Sequence, residues 1–539
     1  MEPREPDTSL ESLPRIDEPA DAPGEATPAA EPPAPKLPPL VEQDPEPEFE
    51  FESDLEFDPE PAPDPEDGYA GWVSGSEDRA LEAETEAGWA WERPIELSGA
   101  RRPLIGCVIP AYNEQDSIAD VLEALLAQTL LPDEIHVVVN NTTDKTIERC
   151  EPFLGTHRRD FRGVTVTCAV YVHDIGKNPA KKVGALNYGF GLVEAFDYFV
   201  GVDGDTIAPP ETIEQLFDEI VADPSIGGVS AVYSLDEKAA KGPVSAWLIA
   251  GQRAQFAAFH LKAMAKGRSV PVLGGQFSMF SMEALRDVMD QEDQVTPWVT
   301  TSEIEDSLLS LQIRSAGYQT KVSQVARADV GAMLTLRSLD GQQVKWNAGA
   351  VGLMRSYPFH ACVRQRWAEH VAMFFNAYNR FAFLFLLIAS VSIGAFRFFP
   401  IWLVPPLVSV LLNLRVCFKM ANRTPRDVLF AALFLPAELY LQVRIMQFLR
   451  SWAKALFGRQ GDNWAAQARA EKGRGRAYLV PYVVTLVLLV VCLAVQARLP
   501  VATQTVVLWW GWASLAVLTA IQTLFMLVKV IRPYGACRV

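Results

Sequence analysis

The sequence predicts an α/β domain with a mostly parallel sheet, followed by a helical membrane domain. Three observations carry this. Residues 100–340 alternate short apolar runs with amphipathic stretches, residues 371–539 contain apolar segments of bilayer length, and charge sets the first 99 residues apart from both. Of the 539 residues, 66 are acidic and 48 basic; residues 1–99 hold 29 of the acids, 5 of the bases and 18 of the 38 prolines. Residues 100–539 are net +6, so the acidity belongs to a Pro-rich tail. The tail has too little apolar surface to offset its conformational entropy and reads as disordered, with Phe49, Phe51, Phe57, Trp72, Trp89 and Trp91 either docking points or idle. It lacks the basic start and apolar core of a signal peptide, so no export signal is expected there. The mild charge of the remainder argues against nucleic acid as a partner. Seven scattered cysteines form no CxxC pair and no metal-ligand spacing, which suits a reducing compartment and excludes a disulfide scaffold.

Within 100–340, "LIGCVIP" (104–110), "IHVVVN" (135–140), "VTVTCAVYV" (164–172) and "YFVGVD" (198–203) are short, apolar and β-branched, as strands buried on both faces are. Between them "DSIADVLEALLAQTL" sets Ile118, Leu122, Leu125 and Leu126 on one helical face. Ligands of such sheets sit beyond the strand C-terminal ends, where this chain places its polar motifs. Further on, apolar stretches near 372–396, 399–415, 428–447, 478–497 and 502–530 are each long enough, or nearly so, to span a bilayer. The basic loops 415–426 and 450–476 both belong on the cytoplasmic side by the positive-inside rule. Both can lie there only if the third stretch, which contains Pro436, Glu438 and Arg444, is re-entrant or interfacial. Four crossings result, with residues 341–370 as an interfacial amphipathic segment.

Each polar motif has two readings. "VIPAYNE" (108–114) ends the first strand in residues able to hold a base or ribose, and equally forms a turn capped by Asp116 or Ser117. "NNTTDKT" repeats this after the next strand, with Asn141 and Asp144 as acceptors or as turn residues. In "VDGDT" Asp203 and Asp205 repel one another unless a cation intervenes; oxygen ligands suit Mg²⁺ or Mn²⁺, and an incidental turn is the alternative. Glu305 and Asp306 open a helix, as partners of its dipole or with a general base among them. Gln342, Lys345 and Trp346 share one helical face, suited to diphosphate and sugar or to a membrane surface.

In order and spacing, "VIPAYNE", "VVVNNTTD", "VDGD", "EIED" and "QQVKW" resemble the family 2 glycosyltransferases of GT-A fold. The likeness is to the membrane-embedded branch that includes hyaluronan, chitin and poly-N-acetylglucosamine synthases. It implies a bacterial inner-membrane enzyme whose catalytic domain is cytoplasmic, with a nucleotide-sugar donor (a UDP-sugar favoured), Mg²⁺ or Mn²⁺, and a growing glycan or lipid acceptor. Ala111, Tyr112, Glu114, Asn141 and Asp144 would line the nucleotide, and Lys182 would approach the diphosphate. Asp203 would meet nucleotide and metal, and Asp205 the metal. Gln276 of "GGQF" would border the acceptor beside Glu305, with Asp306 as base; Gln342, Lys345 and Trp346 would close over diphosphate and acceptor. Two departures stand out. The usual double aspartate after the second strand is Asn140-Asn141, and the usual arginine before the tryptophan is Lys345, which keeps charge but loses the bidentate fork. With no cellulose-type gating motif, an amino-sugar polymer or a lipid-linked product is favoured over cellulose. The implied activity is an inverting, processive synthase. The alternatives are a single-sugar lipid transferase and a non-enzymatic scaffold, which would release no nucleotide.

Overall fold

The computed structural model describes residues 102–302, 304–458, 463–533 and 537–539; the acidic tail lies outside the described residues. The elements of the α/β domain run β1 (Ile105–Ala111), α1 (Ile118–Leu126), β2 (Glu134–Val139), α2 (Thr146–Cys150), β3 (Gly155–Phe161), β4 (Val164–Asp174), α3 (Lys181–Val193) and β5 (Tyr198–Val202). They continue through α4 (Thr212–Ala222), β6 (Ile226–Ser234), α5 (Pro243–Met264), β7 (Phe277–Ser281), α6 (Met282–Gln291), α7 (Glu305–Ser315), β8 (Gln319–Asp329) and α8 (Leu336–Ser356). The strands form one sheet in the order β3-β4-β2-β1-β5-β7-β6-β8.

The sheet is more mixed than the apolar runs predict. β1 pairs in parallel with β2 and β5, β2 with β4, and β6 with β8. β3 folds back antiparallel on β4, and β7 runs antiparallel between β5 and β6. β1 is buried throughout, as a strand covered on both faces must be. One core, with Ile109, Val137, Val200 and Phe217, lies on one face; the other, with Val108, Phe190, Phe199 and Trp298, lies on the opposite face. α1 buries Ile118, Val121, Leu122 and Leu125, the stripe its periodicity predicts. The expected cap differs. Ser117 occupies the N-cap without a side-chain capping bond, because its hydroxyl donates to Glu114 Oε2 at 2.7 Å.

Beyond α8 lie α9 (Ala361–Ser392), α10 (Val404–Lys419), α11 (Pro425–Ala432), α12 (Phe434–Phe457), α13 (Asn463–Glu471), α14 (Val480–Arg498) and α15 (Val501–Ile531). Among the described residues four helices are long and apolar enough to cross a membrane: Ala361–Ser392, Pro400–Lys419, Ala477–Arg498 and Val501–Ile531. The third apolar stretch is instead bent by 85° between α11 and α12. α12 packs along the α/β domain: Tyr440 and Val443 join Leu248 and Leu339, and Trp452 and Ala455 join Leu311, Val351 and Met354.

Candidate active site

The polar motifs converge at the C-terminal ends of β1, β2 and β5. The turn after β5 carries Asp203 and Asp205, and the Asp203 N–H donates to the Gln276 carbonyl at 3.0 Å, fixing the turn against the start of β7. Lys182, in the first turn of α3, places Nζ 2.5 Å from Asp203 Oδ1. Asp306, in the first turn of α7, accepts the Gly275 N–H on Oδ2 at 2.9 Å. A Cβ on Gly275 would stand 2.7 Å from that oxygen and 2.9 Å from Lys182 Nζ, so Asp306 and Lys182 flank one glycine. The Tyr233 hydroxyl donates to the Gly274 carbonyl at 3.0 Å and holds this loop from below.

Lys345 enters the same cluster from α8. It is buried, and the carboxylates of Glu305, Asp306 and Asp203 and the ammonium of Lys182 act on it. Burial pushes it down to about 8, against the pull of Glu305 and Asp306. A helix lying on a membrane surface would leave that ammonium in water. Gln342 and Trp346 stand half-buried on the same turn of α8, and Glu305 is buried. Asp306 is pushed up to about 7, first by burial and then by Glu305, with Lys182 opposing. Burial alone would discharge Lys182, but the surrounding carboxylates, Asp203 foremost, outweigh it and keep the amine protonated.

Carboxylates outnumber cations on the other side of the turn. Asp205 is pushed up to about 6 by burial and by Asp203, and Glu114 to about 8 by burial, Asp205 and Asp203. Glu114 lies against Gly204, where an added Cβ would meet its Cγ at 2.8 Å. Among the described residues no three His, Cys, Asp or Glu side chains form a ready-made metal cage. Crowded oxygen donors short of positive charge nevertheless fit Mg²⁺ or Mn²⁺, since such ions are held by one or two carboxylates with substrate phosphates completing the shell.

Other expected residues serve elsewhere. Ala111 is fully buried at the end of β1, a strand covered on both faces, and its carbonyl accepts from Asn140, so its side chain does not line the site. Tyr112, the next residue, is exposed at the sheet edge. Asp144 accepts from Thr146 through Oδ1 and from the Gln115 N–H through Oδ2 (3.2 Å), joining the loops after β1 and β2. The Asn141 amide donates to the Asn178 carbonyl at 2.8 Å and accepts the Asn178 N–H at 3.1 Å. Asn141 and Asn113 have left-handed backbones (φ 52° and 56°), a conformation asparagine tolerates better than most residues. Asparagine in place of the familiar aspartate thus supports the turn itself. Tyr233 carries no sequence signal of its own, because it acts from beneath the site; Gly275 falls within "GGQF" but acts there through its backbone.

Residues 102–349, a little under half of the chain, match the family described as "Glycosyltransferase like family 2". Among curated proteins the chain is similar to the poly-beta-1,6-N-acetyl-D-glucosamine synthase of Staphylococcus aureus strain MSSA476, with 24% identity over 267 residues, 50% of this chain and 59% of the relative. The Staphylococcus epidermidis synthase of that name is 22% identical over 245 residues, 46% of this chain and 54% of the relative. The chain therefore spans less than two thirds of the length of these relatives. Among solved structures, the Pyrobaculum calidifontis mannosyltransferase PcManGT in complex with GDP-Man and Mn²⁺ is similar at 17% identity and TM-score 0.40, covering 70% of this chain and 95% of that one. Glucosyl-3-phosphoglycerate synthase from Mycobacterium tuberculosis, with Mg²⁺ and UDP, is similar at 19% identity and TM-score 0.30, covering 53% and 84%.

Proposed function

We propose that the protein transfers a hexose from a nucleoside diphosphate donor to an acceptor hydroxyl with inversion, and repeats this to extend a β-linked polymer across the bacterial inner membrane. The observation that carries the reading is Asp306, a half-buried carboxylate poised near neutrality, with Lys182 and Lys345 at its flanks. Asp306 takes the acceptor proton, the freed oxygen bonds to the anomeric carbon, and the bond from that carbon to the diphosphate breaks on the opposite face. Lys182 and Lys345 receive the departing negative charge. Asp203 and Asp205, with Glu114 alongside, would hold Mg²⁺ or Mn²⁺, which supplies further charge neutralisation on the diphosphate. Tyr112 and Glu114 border the nucleotide, with Asn141 and Asp144 shaping the loops around it; Gln276, Glu305, Gln342 and Trp346 border the acceptor. The names of the sequence relatives support N-acetylglucosamine as the transferred sugar.

A second reading, transfer of one sugar to a membrane lipid, draws on the four candidate spans. Four helices of bilayer length would hold the site beside the membrane, where a lipid acceptor is at hand. The test uses purified protein in lipid nanodiscs with Mn²⁺ or Mg²⁺ and single or paired nucleotide sugars, tracking nucleoside diphosphate release and product size. A long water-soluble product, lost in Asp306→Asn, is expected. A lipid-extractable single-sugar product would replace the synthase reading with the lipid transferase. No release from any donor, with native lipids supplied, would overturn both.

A further inference from the structure

The acid turn after β5 touches the connection between β8 and α8 at one glycine. That connection is pinned on both sides. Asp329 and Ile207 exchange backbone hydrogen bonds of 2.8 and 2.9 Å, and the Val330 N–H donates to the Ser234 carbonyl at 2.9 Å. Met333 is clamped by the Gln252 amide, which donates to its carbonyl at 2.9 Å and accepts its N–H at 3.2 Å. Thr335 then caps α8 through a reciprocal bond with Ser338. Between these anchors the Gly331 backbone passes so close to Asp205 that a Cβ would lie 1.9 Å from Oδ2 and 2.8 Å from Cγ. Gly331 is absent from the glycines with left-handed backbone, so it serves here for space and not for conformation. The Thr206 hydroxyl, 3.5 Å from Asp205 Oδ1, is a weak second hold on the carboxylate. With the main chain fixed on either side of Gly331, an added methyl turns the carboxylate and leaves the loop in place.

We propose that Gly331 is a positioning residue for Asp205: the space it leaves sets the rotamer in which Asp205 presents its oxygens to a divalent cation. The inference rests on the reading of Asp205 as a cation ligand. It also makes the β8–α8 connection part of the cation site, although no side chain in it offers a ligand.

The experiment titrates Mn²⁺ into the full-length protein in nanodiscs with UDP present, and reads free Mn²⁺ by electron paramagnetic resonance. Gly331→Ala is expected to weaken Mn²⁺ retention by about tenfold or more, the size usual when a ligand's support is lost. Thermal unfolding in EDTA is expected to stay at the wild-type value. Gly352→Ala, where a Cβ meets nothing within 4 Å, is expected to bind as wild type. Adding Gly331→Ala to Asp205→Asn is expected to cost nothing further, since the two changes act through one carboxylate. Wild-type Mn²⁺ retention in Gly331→Ala overturns the proposal, as does an EDTA melting loss that accounts for the weakened binding. Wild-type protein that retains no Mn²⁺ with UDP would instead remove the cation reading itself, and this inference with it.

Discussion

Asp306 and Lys345 sit in one electrostatic cluster but must hold opposite protonation states for transfer to occur. The base works ionised, and burial followed by Glu305 pushes it up to about 7, so the rate falls as pH drops through that value. Lys345 works charged, and burial pushes it down to about 8, so the rate falls again as pH rises through that value. The expected profile of kcat/KM is a narrow bell with limbs near 7 and 8. Lys345→Met should lower the rate and remove the alkaline limb while keeping the acid one, measured as nucleoside diphosphate release across the neutral range. An alkaline limb unchanged in that variant would assign it to another group. Asp306→Asn should cost roughly 10²–10⁴-fold in rate if the carboxylate acts as a general base. Donor binding, read by isothermal titration with the nucleotide sugar, should survive. A variant that turns over normally would remove Asp306 from the reaction.

At the scale of elements, the catalytic sheet and the helices beyond it are joined through Arg253 of α5. Its guanidinium meets both oxygens of Asp427 in α11 at 3.0–3.1 Å and donates to Ser234 Oγ at 3.1 Å; Arg253 and Asp427 are each 4% exposed. Asp427 also closes the capping box of α11 with Thr424. Removing one member strands a buried charge, so Arg253→Met should cost roughly 3–5 kcal/mol, whereas Arg253→Met with Asp427→Leu should recover much of it. Thermal unfolding in detergent checks both, and a double variant no better than the single would show the lost cap to matter more than the stranded charge. This pair is invisible in the sequence, because 174 positions separate its members and neither sits in a motif. The strands divide in the same way. β1, β2 and β5 are legible because burial on both faces demands unbroken apolar runs; β4, expected to be buried on both faces as well, is instead exposed on one, with burial alternating at Val166, Cys168 and Val170. β3, "GTHRRDF", is an exposed edge and has no such run. β7 is apolar, but nothing in its periodicity tells that it runs against its neighbours. In the site, Asp203, Asp205 and Asp306 are legible as charged residues at element ends, and Lys345, in the middle of α8, through its spacing from Gln342 and Trp346. Gly275 is legible only as part of "GGQF", and Gly331 is not, since the absence of a side chain leaves no chemical pattern.

The whole molecule poses one question that the elements answer together: which side of the membrane each loop occupies. α12 is 24 residues long, enough to be mistaken for a span, yet from Tyr440 to Ala455 it packs on cores built from α5, α7 and α8. The Trp247 indole of α5 donates to the Pro436 carbonyl at 2.9 Å, which holds the start of α12 against the catalytic domain just beyond the 85° bend. We propose that α12, held at both ends by the catalytic domain, stays on that domain's side. On this topology the chain leaves α12 where it entered α11, the basic residues Arg469, Lys472, Arg474 and Arg476 share a side with Arg415, Lys419, Arg423 and Arg426, in accord with the positive-inside rule, and the connection between α9 and α10 faces the opposite side. In a background without the seven native cysteines, Arg397→Cys should react with a membrane-impermeant maleimide in intact cells, and Lys472→Cys only after permeabilisation. Labelling of Lys472→Cys in intact cells would mean that the bent pair crosses the bilayer. That result would overturn the proposed topology and place the loop after α12 on the side opposite the catalytic domain.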